Sequence, residues 1–155
     1  MRDTNRNYAA AYGAIETLHQ HGVHHIILSP GSRNTPLAYA ADDHPDINLY
    51  KILDERAAAF AAIGLSKATY LRPVALICSS GTAAAEYLPA AAEARLSQVP
   101  LILLTADRPP EDHDIAVPQT MSQTNIYGTH VKASFSPGPP EASDDWLQKL
   151  VGHTA

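Results

Sequence analysis

The chain has 155 residues, 45% of them hydrophobic, and a formal net charge of −5. That is enough apolar content for one domain with its own core, which excludes a disordered chain. With no basic excess, nucleic acid is not an expected partner, and no run reaches the ~18 apolar residues of a membrane span.

In chain order, Asn5 to Gln20 predicts a helix, with Tyr8, Ala11, Tyr12, Ile15 and Leu18 at helical spacing, Thr4 as a possible cap and Gly22 as its end. Ile26–Leu28 is a short β-branched run, expected to be a buried strand that stops at the turn-formers Ser29 to Asn34. A helix from about Pro36 to Asp42 is closed by Pro45. Ile47 to Leu53 predicts a strand and Glu55 to Thr69 an alanine-rich helix. Pro73 to Cys78 is a strand, and Ala83 to Leu96 a second alanine-rich helix, expected to bend at Pro89. Pro100 to Thr105 and Val131 to Phe135 predict two further strands. Asp144 to Val151, with Trp146, Leu147, Leu150 and Val151 on one face, predicts a closing helix.

Alternating strands and helices imply right-handed crossovers. The expected fold is therefore α/β, a three-layer sandwich whose mostly parallel sheet is covered by helices on both faces. The strands are continuous apolar runs, as doubly covered strands should be. Asp107 to Thr129 is too long for an ordinary connection, so it is either functional or mobile. A closing helix with no strand after it suggests a chain cut from a longer parent.

The lone cysteine, Cys78, allows no internal disulfide and reads as a small core residue. The first residues lack the apolar core of a signal peptide, so a soluble, cytoplasmic protein is expected. The eight histidines form no zinc-binding spacing, and no metal site is expected on this chain. The nucleophile elbow of a serine hydrolase is also missing.

In an open parallel sheet, ligands gather beyond the carboxyl ends of the strands. Four turns fall there, and each has a plain structural reading beside a functional one. In Ser29-Pro30-Gly31-Ser32-Arg33-Asn34, the Gly31 amide, the hydroxyls and the Arg33 cation suit a carboxylate or phosphate, though a tight turn with a solvated arginine would look the same. In Asp54-Glu55, Asp54 is the natural N-cap, and Glu55 is either a working carboxylate or decoration favoured by the helix dipole. Ser79-Ser80-Gly81-Thr82 sets hydroxyls and a glycine ahead of a helix, either for a polar ligand or for close helix packing. Thr105-Ala106-Asp107-Arg108 offers a cation or merely an Asp–Arg pair, and Gln119, Gln123 and Asn125 lie in the long loop that follows, where simple solvated polar residues would look the same.

Taken in order, these runs resemble one family. SPGSRNTPL (29–37), DERAAAF (54–60), SGTAA (80–84), TADRPPE (105–111) and Pro118-Gln119-Thr120 are similar to the thiamine-diphosphate-dependent 2-succinyl-5-enolpyruvyl-6-hydroxy-3-cyclohexene-1-carboxylate synthase (MenD) family. The resemblance covers nearly the whole chain. It departs after Glu111, where Asp112-His113 stand in place of the Leu-Arg pair of many members.

The resemblance implies that residues 1–155 are the N-terminal, pyrimidine-binding domain, lacking its last strand and the middle and diphosphate-binding domains. It implies decarboxylation of 2-oxoglutarate on thiamine diphosphate and addition of the succinyl unit to isochorismate, in menaquinone biosynthesis. Glu55 would be catalytic, exchanging a proton with the cofactor's aminopyrimidine. Ser32, Arg33, Arg108 and Gln119 would hold the substrate, and Ser80, Gly81 and Thr82 would contact the cofactor. Magnesium would be bound by a domain outside this chain, since no Gly-Asp-Gly with a downstream Asn occurs. The parent would be a homodimer or homotetramer, and the isolated chain inactive. Three other readings stay open: a stand-alone α/β module for a small anionic ligand, a thiamine-diphosphate carboligase with another acceptor, and a pure interaction domain whose alanine-rich helices form a subunit contact.

Overall fold

The computed structural model describes residues 5–113 and 115–140. Helix α1 spans Arg6–Gln20, followed by β1 (His25–Leu28), α2 (Thr35–Asp43), β2 (Asn48–Lys51), α3 (Glu55–Ala68), β3 (Val74–Cys78), α4 (Thr82–Ala85), α5 (Leu88–Ser97) and β4 (Leu101–Thr105). Two single turns of 3-10 helix, Pro110–Asp112 and Gly128–His130, lie in the segment that follows.

The four strands form one all-parallel sheet in the order β2-β1-β3-β4. Because side chains alternate across a strand, β1, β3 and β4 each feed two cores, while β2 adds only Leu49 to one of them. Ile27, Val74, Leu76, Cys78, Leu101 and Leu103 face α3 and α5, while Ile26, Leu28, Ala75, Ile77, Ile102 and Leu104 face α1 and α2. The sheet is therefore the middle of three layers, as the apolar runs predict. Full burial of each large aliphatic side chain contributes roughly 1.5–3 kcal/mol, and Ile15, Leu18, Ile26, Ile27, Leu76 and Ile77 are all buried. On the α3 and α5 side the contact is made mainly by alanines: Ala58, Ala59 and Ala62 on α3 and Ala90, Ala91 and Ala94 on α5. Such small side chains let the helix backbones lie close to the sheet.

The capping chemistry accounts for the boundaries. Asn5 caps α1, its side chain accepting from the Asn7 N–H at 3.0 Å; Thr4, the expected cap, lies outside the described residues. Asp54 caps α3, accepting from the Ala57 N–H at 2.8 Å. Helix α2 ends at His44, which takes an extended conformation before Pro45.

Two expectations need correction. The second alanine-rich helix is not one bent rod. It breaks around Glu86–Tyr87 into α4 and α5, and Pro89 sits in the first turn of α5. A proline mid-helix would clash with the carbonyl four residues back, here Ala85. In a first turn its missing N–H has no partner to lose. Val131 to Phe135 is not a strand either. Lys132 to Phe135 are exposed and join no ladder among the described residues, and only Val131 packs on the core. Pairing requires a neighbouring strand, and among the described residues β4 is bonded on one side only, to β3. The expected helix from Asp144 to Val151 lies outside the described residues.

Candidate functional site

Because the sheet is all parallel, the turns after β1, β2, β3 and β4 emerge at one edge. The chain runs from β1 outward to β2 and then crosses back to β3, so β1 and β3 flank the switch point where open α/β sheets bind ligands.

The turn after β1 is braced from within. The Asn34 amide accepts from the Gly31 N–H at 3.0 Å and donates to the Ser29 carbonyl at 2.8 Å. The Ser29 N–H reaches the Ile77 carbonyl at 2.9 Å, and its hydroxyl donates to the Ile52 carbonyl at 2.9 Å. The Gly31 amide is therefore engaged within the turn and is not offered to an anion. What the glycine supplies is proximity: a Cβ there would fall 2.5 Å from the Cβ of Ser79. Ser32 and Arg33 stand exposed at the tip. No ion pair to Arg33 is found among the described residues.

At the end of β2, Asp54 performs the capping, which leaves Glu55 without that duty. Glu55 is half-buried, and no hydrogen bond or ion pair to its carboxylate is found among the described residues. It lies near enough to Cys78 and Tyr87 for its charge to act on both. Burial pushes the Cys78 thiol up to about 12, helped by the Glu55 charge and opposed by the Tyr87 hydroxyl. The Tyr87 hydroxyl is pushed up by burial above all, and then by the Cys78 thiol beside it.

After β3 and β4, the long loop folds back over the sheet edge. The Ser80 hydroxyl donates to the Gln119 carbonyl at 2.9 Å, and the Gly81 N–H donates to Gln123 Oε1 at 2.7 Å. Gln123 Nε2 donates to the Ala106 carbonyl at 3.0 Å. Farther on, the buried Tyr127 hydroxyl donates to the Ala84 carbonyl at 2.8 Å. Gly81 has φ +76, and a Cβ on it would meet the Gln119 backbone at 2.8 Å. Thr82 is exposed, and α4 is a single turn. The polar groups of Ser80 and Gly81 therefore hold the loop.

Arg108 is also part of this fold-back. Its Nη2 donates to the Pro118 carbonyl at 2.7 Å and its Nη1 lies 3.6 Å from Asp112. Asp107, the partner suggested by the sequence, instead accepts from the Arg108 backbone N–H at 2.7 Å. Arg108 Nε and Thr120 Oγ1 are buried and have no partner among the described residues. A cavity of about 200 Å³ opens in the loop, lined by His113, Thr120, Met121 and Gln123 among others.

The structure thus joins Ser80 and Gly81 directly to Gln119 and ties Arg108 to the neighbouring Pro118, while Gly31 packs the Ser32–Arg33 turn against Ser79. Asn34, a member of the first turn, and Gln123, for which a plain solvated loop residue was the reading offered, hold these turns in shape. The only sequence signal for Gln123 was its position in an overlong loop.

One group of potential metal ligands occurs among the described residues, at the opposite edge of the sheet: Glu16, His19 and His44. His44 Nε2 lies 3.2 Å from Glu16, and His44 Nδ1 accepts the Asp46 N–H at 3.2 Å. That pairing puts the imidazole proton on Nε2, facing the carboxylate. A cation on Nε2 would force a proton onto Nδ1, against the Asp46 N–H.

Comparison with known proteins fits this layout. Residues 9–126 match the family described as thiamine pyrophosphate enzyme, N-terminal TPP binding domain, and the chain belongs to that family. Within it, the chain is similar to the 2-succinyl-5-enolpyruvyl-6-hydroxy-3-cyclohexene-1-carboxylate synthases of Listeria innocua (51% identity, covering 96% of this chain and 25% of the relative) and Geobacillus kaustophilus (51%, covering 96% and 25%). That of Listeria monocytogenes serotype 4b is 52% identical, covering 95% of this chain and 25% of the relative. The chain spans about a quarter of the length of these curated relatives.

Proposed function

We propose that residues 1–155 form the pyrimidine-binding domain of a thiamine-diphosphate-dependent carboligase, in which Glu55 exchanges a proton with the cofactor's aminopyrimidine ring. The reaction is decarboxylation of 2-oxoglutarate and transfer of its succinyl unit to isochorismate, in menaquinone biosynthesis. The observation that carries the reading is the Glu55 carboxylate: half-buried, relieved of capping by Asp54, and without a hydrogen bond among the described residues. A carboxylate in such a place suits a heterocycle that offers it a ring nitrogen. The names of the relatives support the choice of substrates.

When bound, thiamine diphosphate supplies the nucleophilic carbon and the electron sink that decarboxylation needs. The chain's own residues do the rest. Glu55 would hold the pyrimidine and carry the proton. Ser80, Gly81 and Thr82 form the neighbouring turn on the cofactor side. Ser32, Arg33, Arg108 and Gln119 receive the acceptor's carboxylates, for which planar guanidinium groups are well shaped. Diphosphate and magnesium belong to another domain of a homodimeric or homotetrameric, cytoplasmic parent.

The test is Glu55→Gln in the full-length enzyme. Glutamine keeps the size and hydrogen bonding but cannot exchange the proton, so kcat should fall by ~10²–10⁴-fold with the fold intact. Deuterium exchange at the cofactor's reactive carbon should slow in parallel. Exchange at the native rate would remove Glu55 from the chemistry.

A further inference from the structure

We infer that Gln123 is a positioning residue for the acceptor site: its side-chain amide ties the Pro118–Gln123 segment to the ends of β3 and β4, and so seats Gln119 on the Ser80–Gly81 turn. The inference rests on the proposed role of Gln119 at the acceptor and deepens it.

Both ends of the Gln123 amide are used, and each by a group that leaves no choice. The Gly81 N–H can only donate and receives Oε1 at 2.7 Å; the Ala106 carbonyl can only accept and receives Nε2 at 3.0 Å. The amide orientation is thereby fixed. Gly81 follows β3 and Ala106 follows β4, so one half-buried side chain bridges two strand ends and the loop.

Seating depends on this bridge. The Gln119 backbone touches Gly81 closely enough that a Cβ there would meet it at 2.8 Å, and its carbonyl accepts from Ser80. Gln119 itself holds φ +62, and Ala116 and Asn125 hold φ +54, left-handed values that non-glycine residues keep only where their surroundings impose them. The result is a residue held by its main chain whose side chain stays exposed, the condition for a side chain that meets a ligand. Arg108 is tied to the same segment through the Pro118 carbonyl. Release of Gln123 would therefore loosen two acceptor groups together, while Glu55, on α3, would keep its place.

The experiment uses the full-length enzyme with two variants. Gln123→Met keeps length and bulk but removes both hydrogen bonds; Gln123→Glu keeps an acceptor for Gly81 and loses the donor to Ala106. Gln123→Met should raise the KM for isochorismate about tenfold while the KM for 2-oxoglutarate stays within about twofold, a split that general unfolding would not give. Amide hydrogen exchange should accelerate in peptides covering 79–85 and 106–123 and stay native in α1 and α2. Gln123→Glu should lie between, and carries the test if the methionine variant fails to fold. Gln119→Ala separates the two layers of the argument. If it leaves the isochorismate KM unchanged, the acceptor reading falls, and this inference with it. If Gln119→Ala raises that KM while both Gln123 variants keep native KM and native exchange, the positioning role alone is overturned.

Discussion

Replacing Gly31 by alanine probes the contact that shapes the candidate site. The added Cβ would fall 2.5 Å from the Cβ of Ser79 and 2.7 Å from its Oγ. Carbon atoms rest at roughly 3.5–4.0 Å, so the turns after β1 and β3 must part by about 1 Å. A rotamer change of Ser79 moves Oγ but leaves Cβ fixed to the backbone. That backbone is in turn tied to β1, because the Ser29 N–H bonds the Ile77 carbonyl at 2.9 Å. Overpacking of this kind costs about 1–3 kcal/mol, and each kcal/mol lowers Tm by roughly 2–4 °C in a chain of this size. Ser79→Gly removes both offending atoms and leaves only the Ser79 Cα, at 3.7 Å, an ordinary contact. Since the Ser79 hydroxyl has no partner, its loss forfeits no hydrogen bond, and the glycine costs about 0.5–1 kcal/mol. The double variant should match Ser79→Gly to within ~0.5 kcal/mol, giving a coupling of about 1–3 kcal/mol. Urea denaturation of the four proteins, followed by circular dichroism, measures the cycle. A Gly31→Ala variant as stable as the native chain, or strictly additive effects, would refute the argument.

Other expectations follow from single groups. Asn34→Ala should destabilise by about 1–3 kcal/mol, because it leaves the Gly31 N–H and the Ser29 carbonyl without their buried partner. Urea denaturation reads this directly, and a loss below ~0.5 kcal/mol would mean that the turn braces itself. Cys78, pushed up to about 12, should resist alkylation in the folded chain at pH 8 and react only on unfolding, as mass spectrometry would record. The unfolded thiol ionises near its ordinary 9.0, so between there and about 12 the unfolded state binds fewer protons than the folded one. Stability of the native chain relative to Cys78→Ala should therefore fall as pH rises above 9, by about 1.4 kcal/mol per pH unit; a flat difference would contradict the burial argument.

The sheet was legible because β1, β3 and β4 are continuous apolar runs and strand-like and helix-like segments alternate along the chain. The split between α4 and α5 was not, since Pro89 fits either a kink or a first turn and only packing decides. Val131 to Phe135 has strand-like composition, but a strand exists only beside a neighbour. At the site, the four turns could be placed from strand ends alone, and Asp54 was recognisable as a cap, which freed Glu55 for another role. The direction of hydrogen bonds was hidden. Gly31 read as an anion-binding amide, yet Asn34 takes that N–H; Arg108 read as paired with Asp107, yet its guanidinium reaches Asp112 and Pro118. Gln123 could not have been chosen from sequence, because Gly81 and Ala106 come to it only through the tertiary fold.

The two margins of the sheet differ in adhesiveness. The outer strand β2 is Asn48-Leu49-Tyr50-Lys51, mostly exposed and ending in a lysine, the kind of edge that discourages further pairing. The other outer strand, β4, is Leu101-Ile102-Leu103-Leu104-Thr105, uncharged and half-buried along its whole length. Among the described residues no strand pairs with its outer row of N–H and C=O groups, and no charged residue of its own bounds it, so it is a template for another extended backbone. The sheet is therefore sealed on one side and receptive on the other. For anyone handling the domain by itself, self-association should begin along β4 and not along β2.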